Sequence, residues 1–352
     1  MKTKLLTIVL AAGMASGCGI LQRAGTAQPG ESPTVVRPEE GGAGHETGHV
    51  TAAAVRGLTA TLLSQTLLDI EPGEYSGITW LGGDRYAVVD DKRGGGGILH
   101  FTIPIDEYGS VGTVSVRPAN GTAAGVGRDA EGIAFVPGSQ TLYVSTEKDQ
   151  KIRAYDLAGR ETGHELRVPA DLKNITDNRG FEALTFNAVT GRFWTTTEAP
   201  LRGETLLRLQ SFDDEGNPAE RFLYQMDTPL QSAENASAYV FGVPALAALD
   251  DGRLIVLERE VHVPAGSIID KLTGAFTRIN LFLVDPVRDT AEVLSKTLLC
   301  TFNTGALDLA NFEGMCLGPT LPDGRRCLVL IADSQKGSGG LTAEYVRVVL
   351  LR

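Results

Sequence analysis

The chain is short of cysteine, aromatic rings, basic residues and long apolar runs, and each shortage excludes something. Four cysteines in 352 residues are too few for the disulfide frameworks that hold small secreted domains. They form no C-x-x-C zinc pair and no C-x5-R phosphatase loop. Lys and Arg total 32 against 43 Asp and Glu, a net charge of −11. That balance argues against a nucleic-acid partner, since a phosphate backbone needs clustered basic side chains. No run reaches the roughly 18 apolar residues that span a bilayer as a helix. What the chain does have is 42% apolar residues, enough for one large β domain or two ordinary ones.

The first residues read as a targeting segment. Lys2 and Lys4 precede an apolar run from Leu5 to Leu10, and small residues lead to "ASGC" at 15–18. This predicts export, cleavage before Cys18, lipidation of Cys18 and a membrane tether; an ordinary signal peptide cut nearby is the alternative. Gly19 stands where a retention aspartate could sit, which favours the outer membrane or periplasm of a Gram-negative cell. The expected division is a signal peptide over 1–17, a linker over 18–57 and a folded domain over 58–352. Residues 19–57 are Gly-, Ala-, Pro-, Thr- and Glu-rich, a composition that cannot bury enough surface to fold. The remaining Cys300, Cys316 and Cys327 permit at most one disulfide, and buried thiols are the expectation.

The linker contains His45, Glu46 and His49, which spell the H-E-x-x-H pattern of zinc proteases. That chemistry needs both histidines one turn apart on a stable helix, plus a third ligand. Gly41, Gly42, Gly44 and Gly48 surround or interrupt the pattern, and Gly48 alone costs a helix about 1 kcal/mol relative to Ala. The letters read as linker.

From residue 58 onward, short β-branched and aromatic runs alternate with Gly, Asp and Pro, an all-β pattern. Five segments align: "YSGITWL" from Tyr75, "AEGIAFV" from Ala130, "FEALTFN" from Phe181, "VPALAAL" from Val243 and "FEGMCLG" from Phe312. A turn and a second strand ending in acid follow each one. Taking Ser76, Glu131, Glu182, Pro244 and Glu313 as equivalent gives spacings of 55, 51, 62 and 69 residues. A unit of about 50 residues with four short strands matches a propeller blade. The count is five blades, or six if the long fourth segment hides one. After Glu313 the chain stops one strand short, and "LTATLLSQTLLDI" at 58–70 is unassigned. The N-terminal strand is therefore expected to complete the last blade and close the ring.

In a blade the start of the first strand and the end of the second lie at one end of the central channel. One ring of residues there would be Ser76, Glu131, Glu182, Pro244 and Glu313, and an outer ring Asp90, Glu147, Glu198, Glu258 and Asp333. Crowded carboxylates repel each other and raise each other's pKa unless a cation compensates. Three Glu, one Ser hydroxyl and waters make an oxygen shell suited to Ca²⁺, with Ser76, Glu131, Glu182 and Glu313 as ligands. Zinc would want His or Cys, and neither falls in these rings. Lys148, Arg202 and Lys336 follow the outer ring, with Lys92 and Arg93 beyond Asp91, and Arg179 precedes the third inner strand. A cation-bearing mouth with such a rim suits a small phosphate ester or another anionic ligand. The same bases read equally well as surface partners for neighbouring acids.

The quoted segments, with "NRGFEALTF", "DDGRLIVLERE" and "NFEGMCLGPTLPDGRRCLVLIADS", resemble the phytase-like family described as having esterase-like activity, over about residues 60–350. The resemblance implies an exported bacterial β-propeller with phosphoesterase activity. The ring Ser76, Glu131, Glu182 and Glu313 also resembles, in architecture, the calcium ring of five-bladed calcium-dependent apyrases. One departure stands out: where the family usually has a polar side chain in the fourth repeat, this chain has "GVPAL" and Pro244. The expected activity is calcium-dependent hydrolysis of phosphate esters by a monomer. Glu147 or Glu198 would serve as base, and Arg179 or Arg259 would steady the oxyanion. The alternatives are a propeller that binds a ligand or protein without catalysis, and a lactonase using the same mouth. No G-x-S-x-G elbow or R-H-G triplet offers a covalent nucleophile.

Overall fold

The computed structural model describes residues 57–352 apart from 92–96, 120–125, 127–128, 177–178 and 335–341. The signal and linker predictions, the H-E-x-x-H letters, Cys18, Lys92, Arg93 and Lys336 lie outside the described residues. Among the described residues no helix is long and apolar enough to cross a membrane.

Two short strands come first, β1 (Ala60–Leu62) and β2 (Thr66–Leu67). Blade 1 is β3 (Tyr75–Gly82), β4 (Arg85–Asp90), β5 (Gly97–Thr102) and β6 (Ser115–Pro118). Blade 2 is β7 (Ala130–Val136), β8 (Thr141–Thr146), β9 (Lys151–Asp156) and β10 (Glu161–Leu166). Blade 3 is β11 (Phe181–Asn187), β12 (Arg192–Thr197), β13 (Leu207–Phe212) and β14 (Pro218–Tyr224). Blade 4 is longer: β15 (Ala236–Ala248), β16 (Leu254–Pro264), β17 (Phe276–Val284) and β18 (Lys296–Gly305), with helix α1 (Ile268–Gly274) at the tip between β16 and β17. Blade 5 is β19 (Asn311–Thr320), β20 (Arg326–Asp333) and β21 (Tyr345–Leu351), completed by β1, with β2 also pairing β21.

Each sheet is antiparallel, and the innermost strands β3, β7, β11, β15 and β19 pack in sequence, with β19 returning to β3. Five hydrophobic clusters sit one between each adjacent pair of blades. Val89 and Ile98 meet Ile133 and Val144 between blades 1 and 2. Ile152 meets Leu184 and Phe193 between blades 2 and 3. Trp194 meets Leu246 and Val256 between blades 3 and 4. Leu257 and Leu281 meet Phe312 and Leu330 between blades 4 and 5. Tyr86 and Val88 meet Val329 and Val348 between blades 5 and 1. Five sheets with five cores between them make a closed five-bladed propeller, as the repeat predicts. Inner strands are nearly continuous apolar runs because both their faces are covered, whereas outermost strands such as β10 are largely exposed.

The ring closes as expected. β1 pairs β21 antiparallel, Ala60 opposite Leu351, and Thr59 and Arg352 exchange backbone hydrogen bonds at 2.8 and 3.0 Å. Cys300, Cys316 and Cys327 are buried and free, with burial pushing the Cys300 thiol up to about 12. They pack as apolar residues, and no disulfide links them.

Candidate active site at the channel mouth

The five aligned positions share a backbone feature that periodicity does not reveal. In every blade the ladder between first and second strands slips at the aligned residue. The slips fall between Tyr75 and Gly77, Ala130 and Ile133, Phe181 and Ala183, Gly242 and Ala245, and Phe312 and Gly314. Ser76, Glu131, Glu182, Pro244 and Glu313 therefore each sit in a β-bulge, a device that re-aims a side chain and bends its strand. Pro244 is tolerated there because a bulged residue has no ladder hydrogen bond to donate.

Close approach of the inner strands holds these bulges together. A Cβ on Gly77 would lie 2.3 Å from the Glu131 carbonyl oxygen, and one on Gly132 would lie 2.3 Å from the Glu182 carbonyl oxygen. Only glycine lets the backbones meet so closely, so the ring residues of blades 1 to 3 are forced into one small space. Ser76 hydrogen-bonds to the Glu131 carboxyl. The Glu131 carboxyl is held well above the usual range, by burial first and then by Asp91, Glu313 and Glu147. Glu182 is raised in the same way by burial and then by Glu198 and Glu131, with Arg259 pulling the other way. Four of the five expected ring positions thus converge, and Pro244 contributes no donor.

The second-strand positions need correcting in two blades. Just before the ring position, blades 1, 2, 3 and 5 pair Asp90, Thr146, Thr197 and Ala332, whereas in blade 4 Arg259 pairs with Gly242, two residues before Pro244. The outer ring is one residue further on in those four blades, Asp91, Glu147, Glu198 and Asp333, and in blade 4 it is Arg259 itself. Asp90 and Glu258 are each one residue short of it. Glu258 instead accepts from Tyr224 Oη and Lys296 Nζ, both at 2.7 Å, and from the Asp227 backbone. Glu260 accepts from the Leu230 and Gln231 amides and pairs with Arg278 at 3.1 Å. Both are structural acids, so blade 4 sends no carboxylate to the mouth.

It sends Arg259 instead. This side chain is 2% exposed. Its Nη2 donates to Glu198 at 2.6 Å, and its Nη1 donates to Glu313 and, at 3.0 Å, to Asn311 Oδ1. Asn311 Nδ2 donates to Glu313 at 2.8 Å. Burial opposes the guanidinium charge, but Glu313, Glu198 and Glu182 more than offset it. With both terminal nitrogens on carboxylates, the oxyanion role expected of Arg259 gives way to neutralising acids, and Glu198 is committed to that pair rather than free as a base.

The other expected base has a different environment. Glu147 is 5% exposed, and its Oε1 accepts from the Gly180 amide at 2.7 Å. Burial, with Glu198, Asp129 and Asp91 adding to it, raises its carboxyl to about 7 despite that hydrogen bond. A carboxyl poised near neutrality can both take and give a proton. Arg179 is half-buried on the Glu198 side, donating to the Phe241 carbonyl at 2.8 Å, with Nε 4.0 Å from Glu198. Lys148 and Arg202 are exposed on the loops after β8 and β12, away from these contacts. Sequence reasoning missed Asp91 and Asn311; "NFEG" at 311–314 against "GFEA" at 180–183 carries the only hint, an amide where another blade has glycine.

For a hard cation, the donor chemistry of Ser76, Glu131 and Glu182 fits: all are oxygen, and neither carboxylate has a basic partner in an ion pair among the described residues. Glu313 fits less well, being held by Arg259. Among the described residues no group of three or more His, Cys, Asp or Glu is drawn together as a metal cluster.

Comparison with known proteins gives three results. A search of curated proteins finds no match. Among solved structures, an endo-arabinase from Bacteroides thetaiotaomicron is 11% identical with a TM-score of 0.46, covering 81% of this chain and 97% of that one. The catalytic domain of a Coprinopsis cinerea α-L-arabinofuranosidase is 10% identical with a TM-score of 0.42, covering 80% and 91%. These likenesses are too distant to carry any inference about activity. The third result is a family model, described as phytase-like, esterase-like activity of phytase, that matches residues 70–335. That segment contains all five inner strands and every bulge described above, and on it the chain belongs to the phytase-like family.

Proposed function

We propose that the protein hydrolyses phosphate esters at the channel mouth, with a calcium ion held by Ser76, Glu131 and Glu182. The observation that carries this reading is Glu147. In a chain of this family, a buried carboxyl raised to about 7 stands beside Glu131, which has no ion-pair partner among the described residues. Bound calcium would polarise the phosphoryl group and acidify a water. The chain's own residues do the rest. Glu147 accepts the proton of a water as it adds to phosphorus, the ester P–O bond breaks, and the departing alcohol takes a proton back from Glu147. Arg179 at the rim meets the negative charge of the substrate, and the exposed Lys148 and Arg202 add positive charge further out. The lipid anchor at Cys18, and with it an outer-membrane or periplasmic location, belongs to the same proposal.

The test is a calcium titration by calorimetry, set against a Glu131→Gln/Glu182→Gln double variant, followed by a panel of phosphate monoesters and lactones. Saturable calcium binding lost in the double variant, with turnover of phosphate esters, is the expected result. Turnover of lactones alone would move the substrate class. Calcium binding without turnover of any ester would leave a ligand-binding propeller.

A further inference from the structure

The fourth blade breaks the five-fold pattern at the mouth, and what replaces the pattern is itself informative. Where blades 1, 2, 3 and 5 place Ser76, Glu131, Glu182 and Glu313 at their bulges, blade 4 places Val243 and Pro244. Neither side chain can hold a cation. Opposite the same bulge, the second strand supplies Arg259, which reaches sideways in both directions to Glu198 of blade 3 and Glu313 of blade 5. The mouth is thereby divided into two arcs. On the arc around blade 4, Glu198 of blade 3 and Glu313 of blade 5 share one fixed positive charge. On the arc of blades 1 to 3, Glu131 and Glu182 lie beside the Ser76 hydroxyl with no ion-pair partner among the described residues.

Three properties of Arg259 bear on its role. A guanidinium keeps its proton at any working pH and, unlike an ion, does not dissociate. Its planar fork suits two carboxylates approaching from different sides. Its Nε, buried with the rest of the side chain, has no hydrogen-bond partner, so the packing favours the placement of charge over full use of the donors.

We infer that Arg259 is a built-in cation that stands in for a divalent ion on the arc around blade 4, confining exchangeable cation binding to Ser76, Glu131 and Glu182. The inference rests on the reading of the mouth as a cation site. By engaging Glu198 and Glu313, Arg259 removes two charged oxygens from the ligand set, and calcium affinity follows the number of charged ligands a site offers. The side chain therefore sets how tightly, and in what number, divalent ions bind.

The test compares calcium affinity by calorimetry, and thermal unfolding with and without calcium, in the wild-type protein, Arg259→Gln and Arg259→Lys. Arg259→Gln releases two acids and should bind calcium about tenfold tighter or more, or take up a second ion. It should melt lower than wild type in chelator and recover in calcium, while Arg259→Lys keeps the charge and stays near wild type. A folded Arg259→Gln protein that binds calcium no tighter than wild type overturns the inference. Should Arg259→Gln fail to fold even in calcium, the neutral triple variant Glu198→Gln/Arg259→Met/Glu313→Gln decides: wild-type calcium affinity supports the division into arcs, and lost affinity refutes it. Wild-type protein that binds no calcium would sink the proposed function alone, since a gain of binding in Arg259→Gln would still support the stand-in role. Absence of binding in both proteins would remove this inference as well.

Discussion

Replacing Glu147 with Gln should make the protein more stable and less active, and the structure sets the size of the first effect. Glu147 titrates near 4.5 as an ordinary glutamate and at about 7 in the folded chain. Between those values the folded state keeps a proton that the unfolded state has released, so native stability falls as pH rises through the window and stays low above it. At 1.36 kcal/mol per unit, the loss above pH 7 is about 3 kcal/mol. Glutamine has the carbonyl oxygen that accepts from Gly180 but cannot ionise, so the variant should escape that loss. Urea unfolding in chelator at about pH 5 and about pH 8.5 checks this. Near pH 5 the two proteins should differ little, and at the higher pH Glu147→Gln should be more stable by about 3 kcal/mol. Parallel pH dependences would show that Glu147 ionises normally, and with that the case for its acid–base role would fail. In the ester assay the same variant should lose activity by a factor on the order of 10² to 10⁴.

Glu344 offers a comparison just before β21, outside the set of Ser76, Glu131, Glu182 and Glu147. Burial raises it to about 7, its Oε1 accepts from the Gly73 amide and Ser334 Oγ, and its Oε2 has no hydrogen-bond partner. Glu344→Gln should gain a similar amount of stability above pH 7, measured the same way, with ester turnover unchanged. Gly132→Ala tests the narrow neck: its methyl would lie 2.3 Å from the Glu182 carbonyl oxygen and 2.8 Å from Leu184 Cβ and Ser145 Oγ. Denaturation should register a loss of about 1–3 kcal/mol, and calcium should bind more weakly because Glu131 and Glu182 can no longer approach. Gly138→Ala, with open space around it, should do neither.

The blades were legible in the sequence because each inner strand repeats one short apolar string and each second strand ends in acid. The closing strand was legible because the last repeat lacks one and residues 58–70 supply it. The bulges were not, since an extra residue in a ladder leaves no mark on apolar periodicity. That gap explains the misplaced members of the outer ring. "DD" at 90–91 and "ERE" at 258–260 set charged residues side by side, and only the register fixed by the bulge selects Asp91 and Arg259 from them. The sequence also presented Arg259 as one of several bases at a rim. Its insertion between Glu198 and Glu313 depends on distances between blades, which no local pattern encodes.

The seam between β1 and β21 has a practical consequence. β21 begins near the mouth, with Val346 opposite Ile331, and ends at the far side, with Leu351 opposite Arg326. Ala60 pairs with Leu351 there, so both ends of the propeller emerge side by side on the face turned away from the channel mouth. A tag, carrier protein or solid support attached through either end leaves the mouth open to solvent. Because Thr59 and Arg352 are already within hydrogen-bond reach, a short loop could join them and the chain could be reopened between two other blades. Such a permuted protein would have the same five sheets with a covalent link where the natural molecule relies on a hydrogen-bonded clasp.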